Sequence, residues 1–578
     1  MNDSSSNCLI RINYTALACV IGFVTQFSYA LEPRQILEQD ARNRQRQQEQ
    51  EQSLRSAMED LQPEVRLDRP ASSSDKRLPA QETPCFPIER ITLIGDQSAQ
   101  FEWALAAANA PDMALGRCLG SEGINLVMGR IQDAIVQRGF VTTRLFAGEQ
   151  SLTTGTLVLT VVPGRIRAIR PADGVDSRVT LWNALPMKTG DLLNLRDIEQ
   201  GLENLKRVPT AEADIEIVPA SGEGAQPGES DLVVKWQQAL PVRISLSIDD
   251  SGSESTGKLQ GSATVSLDHI LTLNDLFYAS FNHDLSKHDD QYGTDGYAVH
   301  YSIPLGYWSF AWNHSASSYY QNVAGAYQDY QYSGNSKNSD ITVSHLFWRD
   351  ASSKSTWRLK GWTRMGKNYI EDVEVEVQRR RTSGWEAGLS HRQHFGESTL
   401  DLDVAYRRGT GANDALRAPE EAFGEGTSRM ALWTASAQWG MPFKLAGVGL
   451  RYSANWRAQL DRTPLVAQDR FSIGNRYTVR GFDGESTLMA ERGWVLRNDL
   501  GWAIPELGSE LYLGLDYGQV AGRTAQYLLG RELAGYVLGL RGQIKSLGYE
   551  AFAGQPLIKP DGFKTAPVAV GFNVNLSF

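Results

Sequence analysis

The chain has 578 residues, a formal net charge of −10 and 41% hydrophobic residues. The acidic balance excludes a generic basic nucleic-acid binder, and the apolar content excludes a wholly disordered chain. After residue 30, no uninterrupted apolar run approaches the ~20 residues that a membrane-spanning helix needs. Of the 54 aromatic residues, 43 lie in 241–578. Composition therefore excludes a helical membrane protein but not one that crosses the membrane with strands.

Residues 1–30 have the features of a secretory signal peptide. Arg11 supplies a weak positive charge, residues 16–24 form a short apolar stretch, and Ser28-Tyr29-Ala30 offers small residues at the cleavage positions. The alternative is a membrane anchor, but the apolar stretch is too short to span a bilayer. We predict an exported protein.

Two of the four cysteines, Cys85 and Cys118, remain after cleavage at that site. A cysteine pair in an exported protein favours a disulfide bond, because the compartments it enters are oxidising. Two unpaired buried thiols are the alternative.

Two segments with little apolar content follow the signal peptide. Residues 31–60 are strong helix formers without glycine, and their few apolar positions could not face a core. This predicts a helix surrounded by water or lying in a polar channel. Residues 61–84 contain four prolines and three consecutive serines, which predicts a linker.

Residues 85–240 read as two copies of one β-α-α-β-β unit. The first copy, 85–164, has predicted strands at 86–94, 141–147 and 156–162 and helices at 101–108 and 123–137. The second, 165–240, has predicted strands at 165–170, 213–219 and 231–236 and helices at 179–185 and 195–207. The repeat predicts a tandem of small α+β modules.

From residue 241 to the end, apolar and polar residues alternate in segments of about ten residues, as in a transmembrane β-barrel. We count sixteen candidate strands, an even number as in bacterial barrels. They start near 242, 258, 275, 295, 307, 337, 354, 381, 398, 428, 446, 491, 509, 533, 547 and 568. The surplus of aromatic residues fits interfacial girdles. A soluble β-sandwich or propeller would show shorter strands and no such surplus.

Motifs for catalysis, cofactors and metals are missing from the sequence. There is no nucleophile elbow or phosphate-binding loop. The two nearest histidines, His391 and His394, fall on opposite faces of a strand, which makes them a poor metal pair. We expect no enzyme, no cofactor and no metal site.

A long connection, residues 461–490, separates two of the predicted strands. Long loops in compact barrels are usually functional. Within it, Val479-Arg480-Gly481-Phe482 has the form of a tight turn. Asp516 has the strand parity that faces the lumen, opposite to that of Leu513 and Leu515. Spacing alone leaves two options: Arg480 folds inward to pair with Asp516, or it lies solvated in an external loop.

Several short motifs resemble those of the TpsB transporters of two-partner secretion, which export haemolysins, filamentous haemagglutinins and contact-dependent toxins. In the first module these are Cys85-Phe-Pro-Ile-Glu-Arg-Ile91, Arg138-Gly-Phe-Val-Thr-Thr-Arg144 and Gly155-Thr-Leu-Val-Leu-Thr-Val-Val-Pro-Gly-Arg-Ile166. In the barrel region they are Asp250-Ser-Gly-Ser-Glu-Ser-Thr-Gly257, Leu273-Asn-Asp-Leu276, Ile303-Pro-Leu-Gly306 and Gly554-Gln-Pro-Leu-Ile-Lys-Pro560. The most specific motif, Val479-Arg480-Gly481-Phe482, is similar to the lid-loop motif of the wider superfamily.

The resemblance covers essentially the whole chain after the signal peptide. It implies a pore-plugging helix at 31–60, two periplasmic POTRA domains at 85–164 and 165–240, and a sixteen-stranded barrel at 241–578 in the outer membrane of a Gram-negative bacterium. It also implies that Arg480 pairs with Asp516. The expected partners are outer-membrane lipid and a large TpsA-type protein, such as an adhesin, haemolysin or contact-dependent toxin, exported unfolded without ATP.

Two other functions of barrel proteins are less consistent with the sequence. A barrel-assembly insertase of the same superfamily typically has more POTRA repeats and no plug helix. A diffusion porin would not need two soluble modules.

Overall fold

The computed structural model describes residues 33–59, 64–67, 76–286, 291–325 and 328–578. The predicted signal peptide, 1–30, lies outside the described residues, as does much of the predicted linker, 61–84. Among the described residues, no helix is both long enough and apolar enough to cross a membrane.

Helix α1, Pro33–Glu59, corresponds to the predicted polar helix. Its sequence has no glycine and no apolar face, so it does not pack into a hydrophobic core. Instead it lies inside the barrel, where polar side chains such as Asp40, Asn43 and Arg44 are buried against the wall.

The first module packs a helix against a small mixed sheet. Its elements are β1 (Phe86–Ile88), β2 (Arg90–Ile94), the 3₁₀ helix Ser98–Asn109, β3 (Arg117–Leu119), α2 (Ser121–Gln137), β4 (Arg144–Phe146) and β5 (Thr156–Val162). The strand order is β2-β5-β4, and β1 pairs separately with β3. Val127, Ile131 and Ile135 recur at helical spacing and form the buried face of α2. Cys85 and Cys118 form the predicted disulfide bond, with Cα atoms 5.2 Å apart.

The second module has the same three-stranded sheet. Its elements are β6 (Arg165–Pro171), α3 (Leu195–Leu205), β7 (Ala211–Pro219) and β8 (Glu229–Gln238), in the order β6-β8-β7. The Asn194 side chain caps α3 by accepting a hydrogen bond from the amide of Arg196 at 2.8 Å. The helix predicted at 179–185 is wrong, because this segment forms turns that are held against the barrel. There, the Asn183 side chain donates to the carbonyl of Leu273 at 2.6 Å.

The remaining strands form the barrel and its inserts. They are β9 (Val242–Asp249), β10 (Gln260–Asp268), β11 (Leu276–Asp284), β12 (Tyr292–Leu305), β13 (Trp308–Ala324), β14 (Asp329–Arg349), β15 (Ser353–Ile370), β16 (Val373–Glu374), β17 (Arg380–Phe395), β18 (Ser398–Thr410), β19 (Ala431–Leu445), β20 (Val448–Asp461), β21 (Phe471–Ile473), β22 (Leu488–Ala490), β23 (Arg492–Ile504), β24 (Ser509–Ala521), β25 (Glu532–Ile544), β26 (Leu547–Ile558) and β27 (Ala569–Ser577).

Within the described part of 241–578, sixteen antiparallel strands close the barrel, as predicted. The two-residue β16 pairs antiparallel with the last two residues of β15, and β21 and β22 form a separate two-stranded sheet. Closure comes from β27 pairing with β9, from Asn573 opposite Asp249 to Ser577 opposite Ser245. This seam removes the open sheet edges, whose unpaired amides lipid could not satisfy.

Strand parity separates the two faces of the wall. In β24, Leu513 and Leu515 are exposed on the outer face, whereas Tyr512, Gly514 and Asp516 are buried on the inner face. The predicted strand starts lie close to the observed ones except in β14, which begins at Asp329 rather than near residue 337. Residues 333–338 (SGNSKN) of this strand are polar or glycine at both parities and therefore lack the alternation that identified the other strands.

Candidate functional site

The predicted lid loop, residues 461–490, folds into the barrel instead of projecting from it. The hairpin of β21 and β22 leads into a turn that carries Arg480 at its tip. Val479 and Phe482 are buried with Ile473 in a hydrophobic cluster that includes Val520 of the wall. The loop is therefore fixed to the inside of the wall by apolar packing on both sides of Arg480.

Gly481 permits the close approach of this turn to the barrel. Its φ is +93°, a conformation that side chains with a Cβ rarely adopt. A Cβ atom at this position would lie 2.5 Å from the carbonyl oxygen of Gln555 in β26. The turn therefore needs glycine for both its backbone conformation and its distance from the wall.

Arg480 forms a bidentate pair with Asp516. Its Nε donates to Asp516 Oδ2 at 2.7 Å and its Nη2 donates to Oδ1 at 2.8 Å, and both side chains are buried. The backbone amide of Arg480 also donates to Oδ2, at 2.9 Å. Of the two options left by spacing, the structure has the inward-folded arginine.

Asp499 in β23 is a further carboxylate that the sequence reasoning missed. It accepts a hydrogen bond from Arg480 Nη2 at 2.5 Å. Successive side chains of β23 point to opposite faces of the wall, and Leu500 is exposed on the outer face. The position of Asp499 next to Leu500 could therefore have assigned it to the lumen. One guanidinium thus binds two carboxylates from neighbouring strands, and Asp499 also pairs with Arg541 at 3.5 Å.

Helix α1 is bound to the wall near its start. Arg44 donates to Asp40 within the helix at 2.9 Å and to the side chain of Asn368 in β15 at 2.5 Å. The hydroxyl of Tyr319 in β13 donates to Asp40 at 2.5 Å. These charged and polar groups are mutually satisfied, which offsets the cost of burying them inside the barrel.

The same helix is bound to the lid loop on another side. Arg46 Nη2 donates to the carbonyl of Gly484 at 2.8 Å, and the Asn475 side chain donates to Glu49 at 3.0 Å. Helix and loop therefore form one assembly within the lumen. Beside them remains a cavity of about 820 Å³, lined largely by polar and charged side chains of the helix, the loop and the wall.

A second group of charges, which we call the module-side ion cluster, lies where the barrel meets the second module. It consists of Glu64, Glu199, Glu203, Arg349 and Lys354. Arg349, at the end of β14, donates to Glu199 at 3.1 Å, to Glu203 at 2.9 Å and to the carbonyl of Val65 at 2.7 Å. Lys354 donates to Glu203 at 2.5 Å.

The cluster also binds the backbone of the segment that follows α1. The amide of Val65 donates to Glu203 and that of Leu67 donates to Glu199, each at 2.9 Å. Burial alone raises the pKa of the Glu64 carboxyl, but Lys354, His394 and Arg392 outweigh that effect and hold the pKa below its ordinary value. Barrel, second module and linker are thereby joined at one place.

Comparison with known proteins gives the family. Residues 228–542 match the family model described as haemolysin secretion/activation protein ShlB/FhaC/HecB. Residues 86–164 match a POTRA domain of the ShlB type, and 165–219 match a second POTRA model. The chain belongs to the ShlB/FhaC/HecB family.

Members of the ShlB/FhaC/HecB family resemble this chain over most of its length. The outer membrane transporter CdiB-2 of Burkholderia pseudomallei is 37% identical over 536 residues, which cover 89% of this chain and 90% of that protein. The haemolysin transporter protein ShlB of Serratia marcescens is 26% identical over 77% of each chain. The structure of CdiB from Acinetobacter baumannii superposes with a TM-score of 0.81 at 31% identity, covering 93% of this chain and 99% of that one.

These findings confirm the predicted class of protein. It is a TpsB-type transporter of the outer membrane, with POTRA domains in the periplasm, and the transporters of this family serve TpsA-type partner proteins. The family is one of secretion proteins, and the barrel-assembly alternative receives less support.

Proposed function

We propose that this chain exports a large partner protein through the lumen and that α1 is the plug that must move to open it. The observation that carries the proposal is the double attachment of α1, to Asn368 of the wall and to Gly484 of the lid loop. Because the helix lies inside the lumen, we infer that an unfolded chain can pass only after these contacts break. Its polar surface suits this role, since a helix without an apolar face loses little by moving into water.

Arg480 and Asp516 would hold the lid loop in place during export. Breaking a buried ion pair by removing one partner costs about 3–5 kcal/mol, because the other charge is left uncompensated. The loop is further held by the apolar packing of Val479 and Phe482. We infer that the loop stays attached to the wall while the helix leaves.

The POTRA domains would bind the partner before transport. Each three-stranded sheet has edge strands, β2 and β4 in the first domain and β6 and β7 in the second. An extended polypeptide can add to such an edge by main-chain hydrogen bonding. Folding of the partner outside the cell would then make transport unidirectional without ATP. We infer that the protein acts as a pore without catalytic activity.

We further propose that the partner is a contact-dependent toxin rather than a haemolysin. Relatives named CdiB align over 89–99% of this chain, whereas the haemolysin transporters align over 75–77%. Co-expression with the large reading frame next to this gene tests the assignment. Release of a growth-inhibiting protein into the medium is expected, and release of a haemolysin instead would contradict it.

The plug is tested by tying α1 to the wall. Ser317 of β13 donates to the Gln47 side chain at 2.8 Å, so Gln47→Cys and Ser317→Cys can be joined by a short reducible thiol crosslinker. We expect secretion to stop in the crosslinked protein and to resume after reduction. Gln47→Cys alone with the crosslinker, and the double variant with reductant only, are the controls. Normal secretion by the crosslinked protein would show that α1 does not need to leave.

A further inference from the structure

Four exposed apolar side chains lie at the periplasmic end of the barrel, beside strands β9 to β11. They are Trp182, Leu240, Ile270 and Leu271, with exposed fractions of 70%, 74%, 52% and 59%. Trp182 belongs to the second POTRA domain, Leu240 to the segment that enters the barrel, and the other two to the turn between β10 and β11. We call them the periplasmic apolar patch.

Hydrogen bonds place Trp182 next to this turn. The hydroxyl of Thr180 donates to the carbonyl of Thr272 at 2.5 Å, and Asn183 donates to that of Leu273 at 2.6 Å. The carbonyl of Asn183 also accepts a bond of 2.8 Å from Gly306 in the next turn. Trp182 is thus held between two turns of the barrel although it belongs to a different domain.

The polar groups of the turn point inward. Asp275 is buried and accepts hydrogen bonds from the amides of Leu271 and Leu273, at 3.2 and 3.0 Å. The buried His269 accepts from the amide of Asn274 at 2.9 Å. These amides are hydrogen-bonded within the turn, and two of its carbonyls are bound by the POTRA domain. The exposed surface of the turn is therefore formed mainly by apolar side chains. Such an arrangement tolerates a lipid environment, where unsatisfied backbone groups are costly.

The patch is continuous with the lipid-facing surface of the barrel. Leu240 has the same parity as the exposed row Val242, Ile244, Leu246 and Ile248 on the outer face of β9. Leu305 and Trp308, at the turn that Asn183 contacts, are exposed as well. Tryptophan prefers the boundary between hydrocarbon and headgroups, because its ring is apolar and its N–H is polar.

From these contacts we infer that the periplasmic apolar patch inserts into the periplasmic leaflet of the outer membrane, and that Trp182 anchors the second POTRA domain to lipid. The occupant is phospholipid, because the patch extends an existing lipid-facing surface. The anchor fixes the second domain at the membrane.

Spin labelling of the full-length protein in vesicles of phosphatidylethanolamine and phosphatidylglycerol tests the anchor. With the Cys85–Cys118 disulfide intact, a cysteine introduced by Trp182→Cys or Leu271→Cys is the only reactive thiol after residue 30. Collision of the nitroxide with oxygen, which concentrates in lipid, is compared with collision with a polar nickel chelate. Leu513→Cys supplies the lipid reference and Met113→Cys, which is 64% exposed in the first domain, supplies the water reference.

We expect the oxygen-to-nickel ratio at 182 and 271 to approach that at 513 and to exceed that at 113 severalfold. A ratio at both positions equal to that at 113 would overturn the inference. Protection from oxygen and nickel alike would also overturn it, since that result means a protein covers the patch. Two label positions on different elements keep the test decisive if one variant fails to insert.

Discussion

Arg480 and Arg349 are both buried and both face carboxylates, but they connect different parts of the molecule. Arg480 joins the lid loop to two adjacent wall strands through Asp516 and Asp499. Arg349 joins the barrel to α3 of the second POTRA domain and to the linker after α1. The first arginine stabilises the barrel internally. The second links the barrel, the second POTRA domain and the linker, and this linker follows the helix that we propose moves during export.

The largest effect is expected at the lid. Arg480→Ala removes the bidentate partner of the buried Asp516, at a cost of about 3–5 kcal/mol, whereas Asp499 keeps its pair with Arg541 at 3.5 Å. We expect secretion to be lost while the barrel still inserts, as judged by heat-modifiable migration of outer-membrane fractions. Asp516→Ala should have the same phenotype.

The matched control for the lid is Arg451→Ala. Arg451 lies in the adjoining β20 and pairs with Glu510 at 2.9 Å, but its side chain is half exposed. Its loss should cost at most about 1 kcal/mol and leave secretion intact. If Arg480→Ala secretes as well as Arg451→Ala, the lid pair has no role in export.

An intermediate effect is expected at the module-side ion cluster. Arg349→Ala removes the bond to the carbonyl of Val65 and one of the two cations at each carboxylate, since Glu199 keeps Arg196 and Glu203 keeps Lys354. We expect the backbone of residues 64–67 to exchange amide hydrogen faster, because Arg349 binds both the Val65 carbonyl and the carboxylates that accept from this backbone. Secretion should be reduced but not lost, since the lid contacts are untouched.

Arg392→Ala is the control for this cluster. Arg392 is more exposed and pairs with Asp401 and Glu64 at its edge. In the Arg392→Ala variant, amide hydrogen exchange at residues 64–67 should stay close to that of the parent protein. Equal exchange in Arg349→Ala and Arg392→Ala would mean that Arg349 does not hold the linker.

The smallest effect is expected for Glu64→Gln. Glu64 is partly exposed, and its pairs with Lys354 and His394 are each worth at most about 1 kcal/mol. Because the folded protein lowers the pKa of this carboxyl, its contribution is present above the ordinary value for glutamate and is lost as the pH falls through the lowered pKa. The parent protein should therefore lose more linker protection than Glu64→Gln on acidification. An identical loss in both would exclude Glu64 as the titrating group.

The sequence predicted the parts of the structure that follow from local periodicity. Alternation gave sixteen strands, and parity placed Asp516 in the lumen. Prediction from local periodicity failed at 179–185. The apolar spacing of this segment resembles that of a helix, but its backbone forms turns that are bound to the barrel through Asn183. The prediction also placed the start of β14 too late, because the polar and glycine residues at 333–338 give no alternation.

The module-side ion cluster could not be predicted in the same way. Arg349 and Glu203 are 146 residues apart, and Glu64 comes from a segment that reads as a linker. The sequence around each of these residues is typical of an exposed charge and does not indicate an ion pair. Their meeting depends on how the second POTRA domain docks on the barrel, which no local pattern encodes.

The parity of β24 constrains how this gene can change. Leu513 and Leu515 face lipid while Asp516 faces the lumen, so inserting or deleting one residue before them would exchange the two faces. It would place a carboxylate in hydrocarbon and leave Arg480 without its partner. The outward-facing leucines can be replaced by other apolar residues, whereas insertions and deletions in this strand should be eliminated by selection.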